Sequence, residues 1–359
     1  MDRQTADELT RMTSGFYAAV SASFSATRQA PWDGWRRVAE LAGLGSDARH
    51  EPSERLQVLD LACGNLRFER FLADTMVQAH DARQLVTYAA DNCDALALTA
   101  PSETACAREP RPDVLVHYWH RDLARDLCAG ATVWQAAGAP DLTLDAVGRP
   151  VGAHGAGWHV TAADDSGAAM PTAARDRTGD ARARGTHDRQ FSATAASLAS
   201  PLPPEPVDLA VSFGFLHHLP LPEQRATLLR ALVDACAPGC VVAVSFWQPS
   251  HSPKLLAKAQ RTTASACAER RLQGLGPRDY LLGWQGRSDV LRFVHDFSEA
   301  EIDELAAAVA DHAVELARFS ADGATGDLNR YLVLRRTDSA QAEAHAREES
   351  AVSVCPTAV

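Results

Sequence analysis

Apolar runs recur along the chain at 56–61, 85–90, 113–119, 207–213 and 240–247, each the length of a buried strand. Between most of them the apolar positions fall at the three-and-four spacing of a helix, as over 65–79 and 223–237. Strands alternating with helices predict an α/β fold: a parallel sheet with helices on both faces. Ahead of the first strand, residues 5–23 and 33–43 carry helical spacing. Phe16, Val20 and Phe24, then Trp35, Val38 and Leu41, lie on the buried faces. Further on, Ser298 stands three residues before Glu301, a reciprocal cap that starts a helix. Runs at 313–319 and 328–335 flank a glycine-containing turn and read as an antiparallel hairpin.

One interval breaks the rhythm. Residues 129–206 are rich in Ala, Gly, Asp, Arg, Thr and Pro, and so long a stretch of weak periodicity reads as a flexible, low-complexity insertion pinned in places by Trp134, Trp158 and Phe191. Residues 251–292 read as helical and basic, since Lys254, Lys258, Arg261, Arg270, Arg271, Arg278, Arg287 and Arg292 face only Glu269, Asp279 and Asp289. The chain then divides into a helical cap (1–50), two halves of an α/β domain (51–128 and 207–250) around the insertion (129–206), a basic helical substrate cap (251–297), a terminal helix and hairpin (298–336) and a disordered tail (337–359).

Composition narrows the function. A net charge of −11 argues against a broad nucleic-acid-binding face and leaves room only for a local basic patch. Eight cysteines at 63, 93, 106, 128, 236, 240, 267 and 355 form no C-x-x-C pair, so neither a zinc set nor any other metal site is expected. Scattered thiols and a polar, acidic opening segment predict a cytoplasmic protein, and no apolar run approaches the length of a membrane span.

Chemistry gathers at the strand ends. The first strand closes on Asp60-Leu-Ala-Cys-Gly-Asn-Leu66, a carboxylate followed by a turn through Gly64, with Ala62 and Leu66 where a strict G-x-G-x-G has glycine. Open α/β sheets bind nucleotide-like ligands at such carboxyl ends. The second strand ends on Asp91-Asn92, where an acid accepts ribose hydroxyls. Asp122 follows the third strand at the same level. The fourth opens through Ser212 and Phe213 into His217 and His218, adjacent residues that point in opposite directions if the segment is extended.

As a set these strand ends resemble a class I S-adenosylmethionine-dependent methyltransferase, whose Rossmann-like sheet has seven strands and a terminal antiparallel hairpin. The resemblance implies S-adenosylmethionine as cofactor, with Asp60, Ala62, Gly64, Asn65, Asp91, Asn92, Asp122, Ser212 and Phe213 around it. A narrower likeness comes from the two ends of the chain. Residues 24–32, together with 279–284, 292–302 and 329–334, are similar to the corresponding blocks of the wobble-uridine tRNA carboxymethyl methyltransferases. That family methylates a carboxylate in the tRNA anticodon, and its eukaryotic members act with a small zinc-binding protein partner.

Methyl transfer from an activated sulfonium needs an acceptor held in line and shielded from water. A carboxylate acceptor is already ionised at neutral pH, whereas a hydroxyl or amine calls for a base, for which His217 and His218 are the candidates. Arg28, Trp32, Arg292 and His295 are the expected acceptor contacts, the arginines through paired hydrogen bonds. Three readings follow: an RNA methyltransferase acting on a tRNA wobble-uridine carboxylate, a small-molecule methyltransferase, and a non-catalytic subunit of the same fold.

Overall fold

In the computed structural model, which describes residues 1–44, 54–97, 113–129, 142–144, 203, 205–270 and 272–338, the strands are β1 (Arg55–Leu61), β2 (Gln84–Asp91), β3 (Val114–His120), β4 (Leu142–Leu144), β5 (Val207–Ser212), β6 (Cys236–Trp247), β7 (Asp279–Trp284), β8 (Arg287–His295), β9 (Ala313–Ala321) and β10 (Asn329–Arg336). Eight of them form one mixed sheet in the order β4-β3-β2-β1-β5-β6-β10-β9, and β7 pairs with β8 in a sheet of its own. The five central strands are parallel, while β10 runs antiparallel to both β6 and β9, which makes the expected hairpin.

The helices are α1 (Arg3–Ala26), α2 (Asp33–Leu41), α3 (Arg67–Gln78), α4 (Asp94–Ala97), α5 (Leu123–Cys128), α6 (Pro222–Ala235), α7 (Pro253–Arg270) and α8 (Glu299–Ala307). A parallel strand is covered on both faces, so its successive side chains sort into two cores. Leu59 and Leu61 of β1 join Leu228, Leu232 and Ile302 from α6 and α8 on one face. Leu56 and Val58 join Val38, Leu72 and Met76 from α2 and α3 on the other. Leu59 is 1% exposed, and truncating such a side chain to alanine costs about 2–5 kcal/mol.

The elements depart from the sequence expectations in three places. An eighth strand, β4, adds an antiparallel edge to β3 inside the interval read as an insertion; most of that interval, including Trp134, Trp158 and Phe191, lies outside the described residues, as do Arg271 and most of the tail. Residues 251–297 are not one helical block: α7 ends at Arg270, and β7 and β8 follow as a hairpin. The turn between them, Gln285-Gly286, has positive φ at both residues (47° and 84°), the geometry a two-residue hairpin requires. Third, the segment after β5 is not extended, as described below.

Cap residues fix the helix that matters most for the site. Asp2 accepts a hydrogen bond from the Thr5 N–H at 2.8 Å and starts α1. That helix is anchored to β8 by Phe293 N–H donating to Thr13 Oγ1 at 3.0 Å, and to β7 by Trp284 Nε1 donating to Ser23 Oγ at 3.0 Å.

Candidate active site

The strand order reverses between β1 and β5, and at such a switch point the carboxyl ends of the strands diverge and leave a crevice. In register, Asp60 of β1 stands beside Ala89 of β2 and Val211 of β5, and Asp91 of β2 beside His120 of β3. A cavity of about 320 Å³ opens over these ends, with the turn after β1 on one side and α1 on another.

The turn after β1 keeps a left-handed backbone at all three positions where a strict motif has glycine: φ is 69° at Ala62, 58° at Gly64 and 54° at Leu66. Ala62 N–H and Cys63 N–H donate to the Ala90 carbonyl at 2.7 and 3.2 Å, which ties the turn to β2. Leu66 is 4% exposed, so its side chain is a core residue and its burial holds the strained backbone in place. Gly64 N–H donates to Asp91 Oδ2 and Cys93 N–H to Asp91 Oδ1, both at 2.9 Å. Burial pushes the Asp91 carboxyl up to about 6, against the pull of those N–H donors.

Asp60 is buried, with Oδ1 free of any hydrogen-bond partner. Burial raises its pKa, and the neighbouring Glu69 carboxyl, also buried, raises it further. Asn65 Nδ2 donates to Ser25 Oγ at 3.1 Å and to the Arg28 carbonyl at 3.0 Å, which fastens the turn to the end of α1. Asn92 Nδ2 donates to Ser14 Oγ at 2.9 Å, and Ser14 Oγ to Asp122 Oδ2 at 3.2 Å. One α1 hydroxyl therefore joins two residues expected at the cofactor. Asp122 itself caps α5 through Arg125 N–H and stands just behind the cavity wall. Ser212 is likewise behind it, donating to the Leu61 carbonyl at 2.8 Å, while Phe213 lines it and packs edge-on to Phe68.

At the other end, His217 and His218 sit in a short 3-10 turn, and their rings lie 4.0 Å apart. The opposed orientation expected of an extended segment is thus corrected: a 3-10 turn sets neighbours about 120° apart where a strand sets them about 180° apart, and both rings line the cavity. His218 Nδ1 is 2.6 Å from the Phe293 carbonyl and Nε2 is 2.8 Å from the Tyr17 hydroxyl. Burial, with Arg292 nearby, drives its pKa down to about 3. His217 is lowered by the same cause, and its buried Nδ1 has no partner.

Arg28, Trp32 and Arg292 line the cavity. The Arg28 guanidinium stacks 3.9 Å from the Phe24 ring and 4.9 Å from Trp284; that of Arg292 lies 5.8 Å from the same Phe24 and 5.5 Å from Trp247. Burial, with the repulsion of Arg292, brings Arg28 down to about 10. His295 is elsewhere. Its two ring nitrogens bridge Asp279 and Glu301, each at 2.7 Å, outside the cavity lining.

A family model for a methyltransferase domain matches residues 146–242. The chain carries a methyltransferase domain. The matched residues are those of an enzyme domain, and they cover less than half of the chain. No curated protein matches the methyltransferase in sequence. Solved structures similar to it include an S-adenosylmethionine-dependent methyltransferase from Methanosarcina mazei, 11% identical, covering 80% of this chain and 94% of that one with a TM-score of 0.42. A second is 1,6-didemethyltoxoflavin-N1-methyltransferase from Burkholderia thailandensis, 14% identical, covering 92% and 90%, TM-score 0.41. A third is the CcbJ methyltransferase from Streptomyces caelestis, 12% identical, covering 91% and 99%, TM-score 0.37.

Several residues on the wall of the methyltransferase cavity were not anticipated. Thr10, Thr13, Ser14 and Tyr17 present a hydroxyl stripe from α1, and Arg67 adds a further cation. The stripe was readable, because 10, 13, 14 and 17 follow helical spacing on a face otherwise apolar. Among the described residues no group of three or more His, Cys, Asp or Glu side chains is arranged to hold a metal, and no helix is long and apolar enough to cross a membrane.

Proposed function

We propose that this methyltransferase esterifies a carboxylate, and that the acceptor is the carboxymethyl group of a tRNA wobble uridine. The observation that carries the reading is the pair Arg28 and Arg292. Both line one cavity, both stack on Phe24, and neither forms an ion pair with an acid among the described residues. A buried guanidinium without a counter-ion is costly, and its fork of N–H groups matches a carboxylate.

The histidines support the same chemistry. His218 commits both nitrogens to fixed hydrogen bonds, and burial makes both rings resist protonation. Such groups are poor acceptors of a proton from a hydroxyl or amine. A carboxylate has no proton to lose at neutral pH. In this reading His217 and His218 wall the acceptor, and the arginines aim its oxygen.

The residues of the cofactor end fit S-adenosylmethionine, which supplies a methyl group activated on a sulfonium. Asp60 Oδ1, buried and unpartnered, would accept from the methionyl ammonium. Asp91 would accept from the ribose hydroxyls, the backbone of Ala62, Gly64 and Asn65 would border the ligand, and Phe213 would close one wall. Asn92 and Asp122, linked by Ser14, would mark the adenine end, with Ser212 bracing the turn from behind.

The tRNA reading is supported by the exposed Lys254, Lys258 and Arg261, spaced four and three apart on one face of α7, and by the likeness of the terminal segments. A small carboxylic acid is the second reading, favoured by the net charge of −11. The test is transfer of radiolabelled methyl from S-adenosylmethionine to tRNA bearing 5-carboxymethyluridine, and to the free nucleoside, followed by mild alkali. A methyl ester releases the label as volatile methanol. Label that survives alkali overturns carboxylate methylation, and transfer to free acids but not to tRNA selects the second reading.

A further inference from the structure

Four hydroxyl side chains of α1 line the cavity, those of Thr10, Thr13, Ser14 and Tyr17. Three are committed to protein partners. Thr13 Oγ1 donates to the Leu9 carbonyl at 2.9 Å and accepts from Phe293 N–H at 3.0 Å. Ser14 Oγ joins Asn92 to Asp122, and the Tyr17 hydroxyl meets His218 and Arg292. Thr10 differs. It is 1% exposed, and its Oγ1 is buried with no hydrogen-bond partner.

A threonine inside a helix has a ready partner in the carbonyl four residues back. Thr13, Thr75, Thr227 and Thr263 all use it, at 2.7–2.9 Å. Thr10 stands well inside α1 and does not. A buried hydroxyl left unpaired is unfavourable, so the position calls for a reason. Its surroundings supply one. Thr10 lies one turn before Ser14 on the same face of α1, and α1 packs on α4 and α5. Here Leu96 of α4 and Leu123 and Ala124 of α5 line the cavity. Aliphatic walls with a single hydroxyl suit a flat heterocycle, whose faces pack on the walls while an edge nitrogen meets the hydroxyl.

We infer that Thr10 is a specificity residue for the cofactor's base: its hydroxyl hydrogen-bonds an edge nitrogen of adenine. The inference rests on the reading that places adenine beside Asn92 and Asp122, and it is independent of the methyl acceptor.

The test compares Thr10→Val, which keeps the shape and removes the hydroxyl, with Thr10→Ser, which keeps the hydroxyl. S-Adenosylhomocysteine and 5′-methylthioadenosine are titrated into each by calorimetry. The second ligand shares the adenosine half and lacks the amino-acid half. Both should bind about five- to tenfold more weakly to Thr10→Val, by the same factor, and at near wild-type strength to Thr10→Ser. Thermal melts give an independent sign. Without ligand, Thr10→Val should melt at or above wild type, because valine buries no unmet hydroxyl. At equal S-adenosylhomocysteine concentration, the ligand should raise its melting temperature by less than in wild type.

Unchanged affinity for both ligands in Thr10→Val overturns the inference. So does a loss confined to S-adenosylhomocysteine, which would give the hydroxyl to the amino-acid half. A ligand-free Thr10→Val that melts lower, with equal weakening in Thr10→Ser, would reduce Thr10 to packing. Ala124→Leu fills the slot from α5 and tests the placement of adenine by itself. Wild-type binding of 5′-methylthioadenosine to that variant would put the base elsewhere and overturn the placement. Weakened binding there, beside an unchanged Thr10→Val, would keep the placement and sink the role of Thr10 alone.

Discussion

The Tyr17 hydroxyl lies 2.8 Å from Nε2 of His218, and this contact fixes the tautomer of the histidine. Because Nδ1 meets the Phe293 carbonyl at 2.6 Å, Nδ1 carries the hydrogen and Nε2 accepts from Tyr17. The tyrosine oxygen in turn accepts from Arg292 Nη1 at 3.4 Å. One run of hydrogen bonds therefore joins α1, the turn after β5 and β8 around the acceptor end. Tyr17→Phe should leave a buried acceptor unmet at a cost of about 1–2 kcal/mol. It should also raise the acceptor KM several-fold while cofactor affinity stays unchanged. Urea denaturation and steady-state kinetics read the two effects, and an unaltered KM would separate Tyr17 from acceptor positioning.

The left-handed turn after β1 makes opposite predictions at two adjacent departures from glycine. Ala62 holds φ at 69° with a small side chain, so Ala62→Gly should relieve backbone strain and stabilise the protein by about 0.5–1 kcal/mol. Leu66 holds φ at 54° but is also a buried core residue. Leu66→Gly relieves similar strain and removes a whole packed side chain, so a net loss of about 1–3 kcal/mol is expected. The urea midpoint should move up for the first variant and down for the second, with m unchanged. Equal and opposite assignments would mean that the turn relaxes when substituted.

The same turn shows what the sequence made legible. Its strand-turn-helix pattern, the acids at the next two strand ends and the hairpin were readable, because period and turn residues are local properties. The glycine count was misleading, since Ala62 and Leu66 differ from glycine in side chain and not in backbone conformation. Tertiary facts were harder. Nothing in the order of residues reveals that Ser14 meets both Asn92 and Asp122, or that Arg67 leans on Trp32. His295 reads like an acceptor contact beside Arg292. Side chains alternate along a strand, however, so residues three apart face opposite sides of β8.

His295 accordingly belongs to a stability prediction. It bridges Asp279 and Glu301, and Arg278 and Arg225 approach the same cluster. His295→Ala would leave two carboxylates facing each other without the ring between them. The expected loss is about 2–4 kcal/mol, seen as a lower melting temperature. Acceptor KM per folded molecule should not move. A selective rise in KM with an unchanged melting temperature would return His295 to the acceptor site.

Asp91 should make cofactor binding depend on pH. Its carboxyl, pushed up to about 6 by burial, is ionised at pH 8 and protonated at pH 5. Ribose hydroxyls donate best to the ionised form, so S-adenosylmethionine affinity should fall as pH drops through about 6, approaching tenfold per unit below it. Stability of the ligand-free protein has the other sign. The folded value lies above that of an unfolded Asp, about 3.9, so the favourable contribution is complete below that pH and is lost as pH rises through 6. Its size is of order 2–3 kcal/mol at one pKa unit per 1.36 kcal/mol. Asp91→Asn removes the titration but offers one acceptor oxygen where Gly64 N–H and Cys93 N–H each need one, so it should melt lower than wild type across this range, bind the cofactor more weakly at pH 8, and bind it with no pH dependence near 6. Calorimetry and thermal melts between pH 5 and 8 separate the two effects. A wild-type affinity flat across that range would remove Asp91 from the cofactor site.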